Sequence, residues 1–291
     1  MSSQLAPSAS TPVGEPTAQI DGDLVTLQPV RQRGFGDGLR EMINVMGAVI
    51  LRDIRSRYFN HGLGFLLVPM WPFVHMTVLM VIYAAMGRGT PYGDDSFVFF
   101  ATGLLPTLMY LYTSRFMATS MLENKPMLSF PIVRLLDIVL ARAFLEILAA
   151  LMSCLLVFVA LLALGSDPYP YDAFEAVMAF VVTAIFAVGS GLLVSCIVLR
   201  MPMFSLIWAF ICIMFYLASG AIFLTADLPQ EVGRIAALNP LMHSVDWMRS
   251  AFYPGYPTPY LDKGYLIACS VFVIFLGLLA ERNLRALLLR D

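Results

Sequence analysis

The stretch that decides the fold is residues 138–164, IVLARAFLEILAALMSCLLVFVALLAL, in which Arg142 and Glu146 are the only charged side chains. A helix needs about 20 mostly apolar residues to cross a membrane. The stretch is continuously apolar and does not alternate at every second position, which favours a helix over a strand of a membrane barrel. It therefore predicts a transmembrane α-helix.

Five further stretches have the same length and apolar character, so we predict an all-α integral membrane protein with six transmembrane helices within 61–285. Of the whole chain, 59% is hydrophobic and 13% is charged, whereas a soluble globular protein carries roughly 25% charged residues. This composition excludes an ordinary soluble domain. The five further stretches are approximately 63–86, 97–119, 173–198, 204–224 and 264–280.

The basic residues predict which side of the membrane each loop occupies. Of the 18 Lys and Arg residues, all but four fall on the side that holds both termini, the second loop and the fourth loop. By the positive-inside rule both termini are cytoplasmic. The net charge is only −2, and the basic residues are scattered, which argues against a nucleic-acid partner. The four basic residues on the opposite side are Arg88, Arg234, Arg249 and Lys263.

The ends of the chain lie outside these spans. Residues 1–30 contain no Lys or Arg and no apolar core, so we predict a disordered cytoplasmic tail over 1–36. Apolar residues then recur every three or four positions, which predicts an amphipathic interface helix over 37–60, lying in the headgroup plane. Residues 286–291 form a cytoplasmic C-terminus.

The long outer segment, 225–262, contains two amphipathic stretches that are each too short to cross a bilayer. They are separated by Asn239-Pro240. One interpretation is a pair of short re-entrant helices before the last span, since such backbone is tolerated where protein or water surrounds it. The alternative is a helical hairpin on the outer surface. The polar and turn-forming candidates here are Asn239, Pro240, His243, Asp246 and Arg249.

Sequence motifs for catalysis are missing. There is no Gly-Lys dipeptide, hence no phosphate-binding P-loop, and neither Gly-x-Ser-x-Gly nor His-Glu-x-x-His occurs. The three histidines, His61, His75 and His243, are far apart and lack the spacing of metal ligands. We therefore predict no catalytic residue, no metal site and no cofactor in this chain.

Charged and aromatic residues inside the spans are candidates for function. Arg142 and Glu146 lie one helical turn apart, and charges at this depth normally pair or face water. They line the cytoplasmic mouth of a conduit or form an internal ion pair that holds the bundle. Tyr112 and Phe116 share one helix face near Arg115, although aromatics also serve as interfacial or lipid-facing residues and Arg115 can simply extend to the interface.

Several motifs occur in a specific order along 40–285. They are Leu51–Tyr58 (LRDIRSRY), Gly103-Leu104-Leu105-Pro106, Pro131–Glu146 (PIVRLLDIVLARAFLE) and Leu238–His243 (LNPLMH). In this order the chain resembles the type-2 ABC exporter permeases for cell-surface polysaccharide, and most closely their capsular branch, the KpsM type.

The resemblance implies a homodimer in the bacterial inner membrane, carrying two copies of a separate cytoplasmic ABC ATPase that binds ATP and Mg. It also implies a periplasmic adaptor or co-polymerase as a further partner. The loop 121–134 between the second and third spans would be the coupling element. The residues that this assigns to ATPase coupling are Arg52, Arg55, Arg57, Glu123, Asn124, Lys125 and Pro126.

The function implied is export of an anionic, lipid-anchored capsular polysaccharide through a channel at the dimer interface. The alternatives are a permease for another lipid-linked glycan such as O-antigen or teichoic acid, a drug or lipid exporter, a membrane-embedded transferase, and a structural component of an envelope complex. The residues expected along the substrate path are Tyr83, Tyr110, Tyr112, Arg115, Phe116, Arg142, Glu146 and Trp208.

Overall fold

A computed structural model describes residues 17–20, 23–26, 35–57, 67–87, 89–130 and 132–288. Apart from one short hairpin these residues are helical or in connections, which confirms the predicted helical fold. The helices are α1 (Phe35–Arg57), α2 (Leu67–Ala85), α3 (Ser96–Glu123), α4 (Leu135–Ala163), α5 (Ala173–Arg200), α6 (Phe204–Leu217), α7 (Gln230–Ala236), α8 (Pro240–Phe252) and α9 (Lys263–Leu288).

The hairpin lies in the segment 1–36, for which the sequence predicts a disordered tail. Strand β1 (Thr17–Ile20) pairs antiparallel with β2 (Asp23–Thr26). The sequence carried a signal for it, because Asp-Gly at 21–22 favours a two-residue hairpin turn. The other residues of the tail before Phe35 lie outside the described ranges. The chain divides into two compact units between Glu41 and Met42.

Within the part of the chain that the structure describes, four helices are long and apolar enough to cross a membrane: α3, α4, α5 and α9. The predicted first and fifth spans are also helical, but their apolar helices, Met70–Tyr83 and Phe204–Leu217, are shorter. At about 1.5 Å per residue, α6 is roughly 21 Å long and does not reach across a hydrocarbon core of about 30 Å. The predicted helix over 204–224 therefore ends early, and its remainder is non-helical.

The bundle is built around α3, which contacts α2, α4, α5, α6 and α8. Close packing of α3 on α5 depends on a small residue, since a Cβ on Gly191 would lie 2.6 Å from Cβ of Met117. Hydroxyls buried within α3 donate to carbonyls of their own helix, as Thr102 and Ser120 do. A polar side chain is thereby accommodated without a partner from another helix.

The outer segment folds into the bundle. Of the 13 residues of α8, 11 are buried, and α8 packs on α3, α5 and α9. In α7, by contrast, Ile235 is 71% exposed. Two short helices, α7 and α8, thus lie on either side of Asn239-Pro240, and α8 is buried against its neighbouring helices.

Candidate functional site

Three buried charges connect α1 with α4. One guanidinium nitrogen of Arg142 lies 2.5 Å from the Glu146 carboxylate, and the other lies 3.7 Å from the Asp53 carboxylate. The exposed fractions of these side chains are only 2–5%. Buried charges of this kind are tolerated when they are paired, so the cluster joins the two helices. The sequence interpretation quoted Asp53 within the motif Leu51–Tyr58 but gave it no role.

Aromatic residues continue this cluster along α3. The Arg142 guanidinium carbon lies 5.0 Å from the centroid of the Phe116 ring. Phe116 stacks on Tyr112, with centroids 6.1 Å apart, and the Tyr112 hydroxyl lies 3.3 Å from Nδ1 of His75. The structure thus brings together four of the predicted path residues, Tyr112, Phe116, Arg142 and Glu146.

A cavity of about 500 Å³ lies between α2, α3 and α4, next to this cluster. Within the described ranges, no group of three His, Cys, Asp or Glu residues could hold a metal ion. The walls are mainly apolar and aromatic, which suits binding rather than acid–base chemistry. The lining residues are Trp71, Pro72, Met76, Leu105, Leu108, Met109, Tyr112, Thr113, Phe116, Glu146, Ala149, Ala150 and Ser153.

The other four predicted path residues do not line this cavity. Tyr83 donates a hydrogen bond to the Ile222 carbonyl (3.1 Å). Tyr110 is fully buried, and its ring stacks on Phe186. Arg115 is exposed on α3, and Trp208 packs, half-buried, against buried residues of α3 and α5. The structure does not place these four around one opening in the single chain.

Two of the predicted coupling residues, Arg52 and Asn124, are in contact. The Arg52 guanidinium donates to the side-chain oxygen of Asn124 at 2.7 Å. Asn124 caps the C-terminus of α3 and donates from its amide to the Ser120 carbonyl. Glu123 is the last residue of α3 rather than part of a loop, because the helix continues to the Asn124 cap.

A 3₁₀ helix, Lys125–Ser129, follows this cap and leads toward α4. Lys125 and Pro126 are exposed, as are Glu123 and Arg55. Arg57 is the last residue of α1, and its side chain lies outside the described part of the structure. The connection between α3 and α4 therefore has exposed charged side chains, and Asn124 at its start is hydrogen-bonded to Arg52 of α1.

In the outer region, Asn239 and His243 fix the start of α8. The Asn239 oxygen accepts from the Leu241 backbone N–H (3.1 Å), and its amide donates to the Phe215 carbonyl (2.7 Å), while Pro240 occupies the first turn. His243 Nδ1 accepts from the Asp262 backbone N–H (3.0 Å), so Nε2 is the nitrogen that donates to the Ala237 carbonyl (2.7 Å). Burial lowers the pKa of His243, which favours this neutral form.

Arg249 holds the non-helical segment that follows α6. Its guanidinium is fully buried and donates to the carbonyls of Gly220 (2.8 Å), Ala221 (2.7 Å) and Phe223 (3.0 Å). It also lies 3.8 Å from the centroid of the Phe99 ring. Backbone outside a helix needs such partners when water is excluded, so Arg249 makes the early end of α6 possible.

Asp246 lies one turn before Arg249 and belongs to the same buried network. Thr225 is within 2.9 Å of both Asp246 carboxylate oxygens, and the Tyr256 hydroxyl lies 3.4 Å from Asp246 and 3.4 Å from Arg249. Burial raises the pKa of Asp246 to about 6, against the lowering effect of the Thr225 hydrogen bond. The sequence interpretation named both charged residues as candidates but gave Thr225 no role.

Comparison with known proteins gives a consistent set of relatives. Residues 45–253 match the family described as ABC-2 type transporter. The capsule polysaccharide export inner-membrane protein CtrC of Neisseria meningitidis serogroup B is 29% identical over 87% of this chain and 95% of its own length. BexB of Haemophilus influenzae, also described as a capsule polysaccharide export inner-membrane protein, is 27% identical over 87% of this chain and 95% of its own length. The polysialic acid transport protein KpsM of Escherichia coli is 26% identical over 81% of this chain and 92% of its own length.

Proposed function

This chain belongs to the ABC-2 type transporter family, and from that premise we propose that it is the permease of an exporter that moves capsular polysaccharide across the bacterial inner membrane. The observation that carries the proposal is the match to CtrC, BexB and KpsM along most of both chains. The family match itself runs from residue 45, within α1, to residue 253, just after α8.

Under this proposal, transport is driven by ATP hydrolysis in another subunit. The sequence has no P-loop, so a separate ABC ATPase, in two copies, would bind ATP and Mg beneath a homodimer of this permease. Its docking surface would be the exposed 3₁₀ helix Lys125–Ser129 with Glu123 and the outer face of α1. Both termini would then be cytoplasmic, on the same side as this surface.

Movement at the docking surface would reach the membrane helices through two polar contacts. The bond between Arg52 and Asn124 joins α1 to the end of α3, and the contact between Asp53 and Arg142 joins α1 to α4. Binding and hydrolysis of ATP would shift the two permeases between conformations that differ at their shared interface.

The polymer would move along the homodimer interface on many weak contacts. Sugars stack on aromatic rings, and exposed cations such as Arg115 would offset an anionic polymer's charge at its point of entry. A periplasmic adaptor or co-polymerase would bind the outer region, where Ile235 and Leu238 are 70–71% exposed.

Deletion in the native host tests the proposal. We expect loss of surface capsule with polymer retained inside the cell, and restoration by the wild-type chain. Normal capsule after deletion, or loss of a different envelope glycan, would overturn the proposed substrate.

A charge-reversed pair, Glu123→Lys with Lys125→Glu, tests the proposed ATPase contact in the same strain. It should reach the membrane but fail to restore capsule. Asp94→Lys is the matched control because Asp94 is equally exposed in the α2–α3 connection. Full restoration by the charge-reversed pair would contradict docking at this surface.

A further inference from the structure

The cavity between α2, α3 and α4 has two chemically different ends. Residues nearer α1 are Trp71, Tyr112, Phe116 and Glu146, since α3 ends at the Asn124 contact with α1 and α4 begins beside α1. At the far end the walls are formed by aliphatic or small side chains. Those residues are Met76, Leu105, Leu108, Met109, Ala150 and Ser153.

Three of the polar side chains in the cavity walls already have partners within the protein. Glu146 pairs with Arg142 (2.5 Å), and the Tyr112 hydroxyl is bonded to His75 (3.3 Å). Ser153 donates to the Ala149 carbonyl (2.9 Å). A sugar entering here would give up hydrogen bonds to water with few replacements, which is unfavourable. The walls therefore suit an alkyl chain better than a carbohydrate.

The cavity adjoins an apolar outer surface of α2. Trp71, which lines it, is 66% exposed, and on the same helix Met70, Val74 and Val78 are 38–50% exposed. A helix face of this composition faces lipid in a membrane protein. An alkyl chain can thus enter from the side, past Trp71, without passing through water.

We propose that this cavity binds one acyl chain of a phospholipid from the bilayer leaflet that adjoins α1. Its volume of about 500 Å³ lies within the roughly 300–1,000 Å³ range of ligand sites. An acyl chain bound there gains van der Waals contacts with the apolar walls. The chain would contact Phe116 and Glu146, both of which contact Arg142, and so would border the cluster that ties α4 to α1.

Photolabelling of the full-length protein tests this site. The chain is placed in nanodiscs of phosphatidylethanolamine and phosphatidylglycerol that include a phosphatidylethanolamine with a diazirine on its acyl chain. After illumination, labelled residues are mapped by mass spectrometry. We expect labels on Met109 and Ala150, which are only 4% and 9% exposed, as well as on the exposed Leu155 and Val159.

A variant that fills the cavity separates bound lipid from surrounding lipid. Ala149→Phe should lower labelling of Met109 by about tenfold, because the added ring occupies the site, and leave labelling of Leu155 unchanged. Ala163→Phe, at the exposed end of the same helix, is the control and should change neither. If Ala149→Phe fails to fold, Ala149→Leu should give a smaller decrease at Met109.

Three results would overturn the proposal. They are unlabelled Met109 and Ala150 in the wild-type chain, with or without labels on Leu155 and Val159; labelling of Met109 in Ala149→Phe and Ala149→Leu that equals the wild-type level; and an equal loss of Met109 labelling in the control Ala163→Phe. The assay contains neither an ATPase nor a polysaccharide. Its failure therefore leaves the proposed transport function standing, and the deletion experiment tests that function separately.

Discussion

Arg52 and Asn124 are joined by a 2.7 Å hydrogen bond from the Arg52 guanidinium to the Asn124 side-chain oxygen. Arg52 lies on α1, and Asn124 caps α3 immediately before the exposed 3₁₀ helix. Asn124 is buried, with 2% of its surface exposed. This hydrogen bond therefore holds α1 to the connection that we propose as the ATPase contact.

Loss of this bond should weaken both stability and coupling. We expect Arg52→Ala and Asn124→Ala each to lower the free energy of unfolding by about 1.5–3 kcal/mol, the usual range for hydrogen bonds to a charged group. The double variant should cost less than the sum of the two single variants, because both remove the same bond. Thermal unfolding in nanodiscs measures this. Arg55→Ala, at an exposed site on the same helix, is the control, and additive losses would contradict the prediction.

Arg142 should be the most sensitive residue of the buried cluster. Arg142→Leu leaves two carboxylates, Asp53 and Glu146, without this cation and should destabilise the bundle by about 3–5 kcal/mol. Adding Asp53→Asn and Glu146→Gln to Arg142→Leu should recover most of that loss, since no charge then stays buried at the cluster. Unfolding temperatures of the single and triple variants provide the comparison. A triple variant no more stable than Arg142→Leu would show that the cost is not electrostatic.

Gly103 should tolerate no side chain. A Cβ there would lie 2.5 Å from the Ala221 carbonyl oxygen and 2.6 Å from an Arg249 guanidinium nitrogen. Alanine favours a helix over glycine by about 1 kcal/mol, but the clash dominates, so Gly103→Ala should lose about 1–3 kcal/mol of stability. Gly89→Ala, where nothing lies within 4 Å, is the matched control. Equal unfolding temperatures for the two variants would rule out the close approach.

Helices could be placed from the sequence because apolar length is a strong local signal. The run around 138–164 gives a helix that begins at Leu135 and ends at Ala163. The sequence did not predict the end of α6 at Leu217, because 218–224 contains apolar residues that would also suit a helix. The non-helical course of that segment is held by Arg249, which lies far away in the chain and donates to three of its carbonyls.

Contacts in the candidate site could be predicted where both residues lie on one helix, three or four positions apart. Tyr112 and Phe116 are four residues apart, as are Arg142 and Glu146, and these pairs do meet. Asp53 was not found, because its contact with Arg142 depends on how α1 packs on α4, and spacing within one helix carries no information about that. Nor did helix spacing show that Tyr110 stacks on Phe186 in the core.

Asp246 should make the stability of the outer region depend on pH. Burial raises its pKa from the ordinary 3.8 to about 6 in the folded chain. Between about pH 4 and pH 6 the folded state therefore binds more protons than the unfolded state. The free energy of unfolding contributed by this group falls as pH rises through that window and is constant above it, a change of about 3 kcal/mol.

Asp246→Asn removes the titration but keeps an oxygen that can accept from Thr225. We therefore expect the variant to gain stability relative to the wild-type chain as pH rises from 4 to 7, by up to about 3 kcal/mol. The measurement is the difference in unfolding temperature between the two chains at each pH, which cancels contributions from other titrating groups. Asp94→Asn, at an exposed site, should show no such trend. A difference between Asp246→Asn and wild type that stays constant over this range would mean that Asp246 is charged throughout and that its partners fully offset its burial.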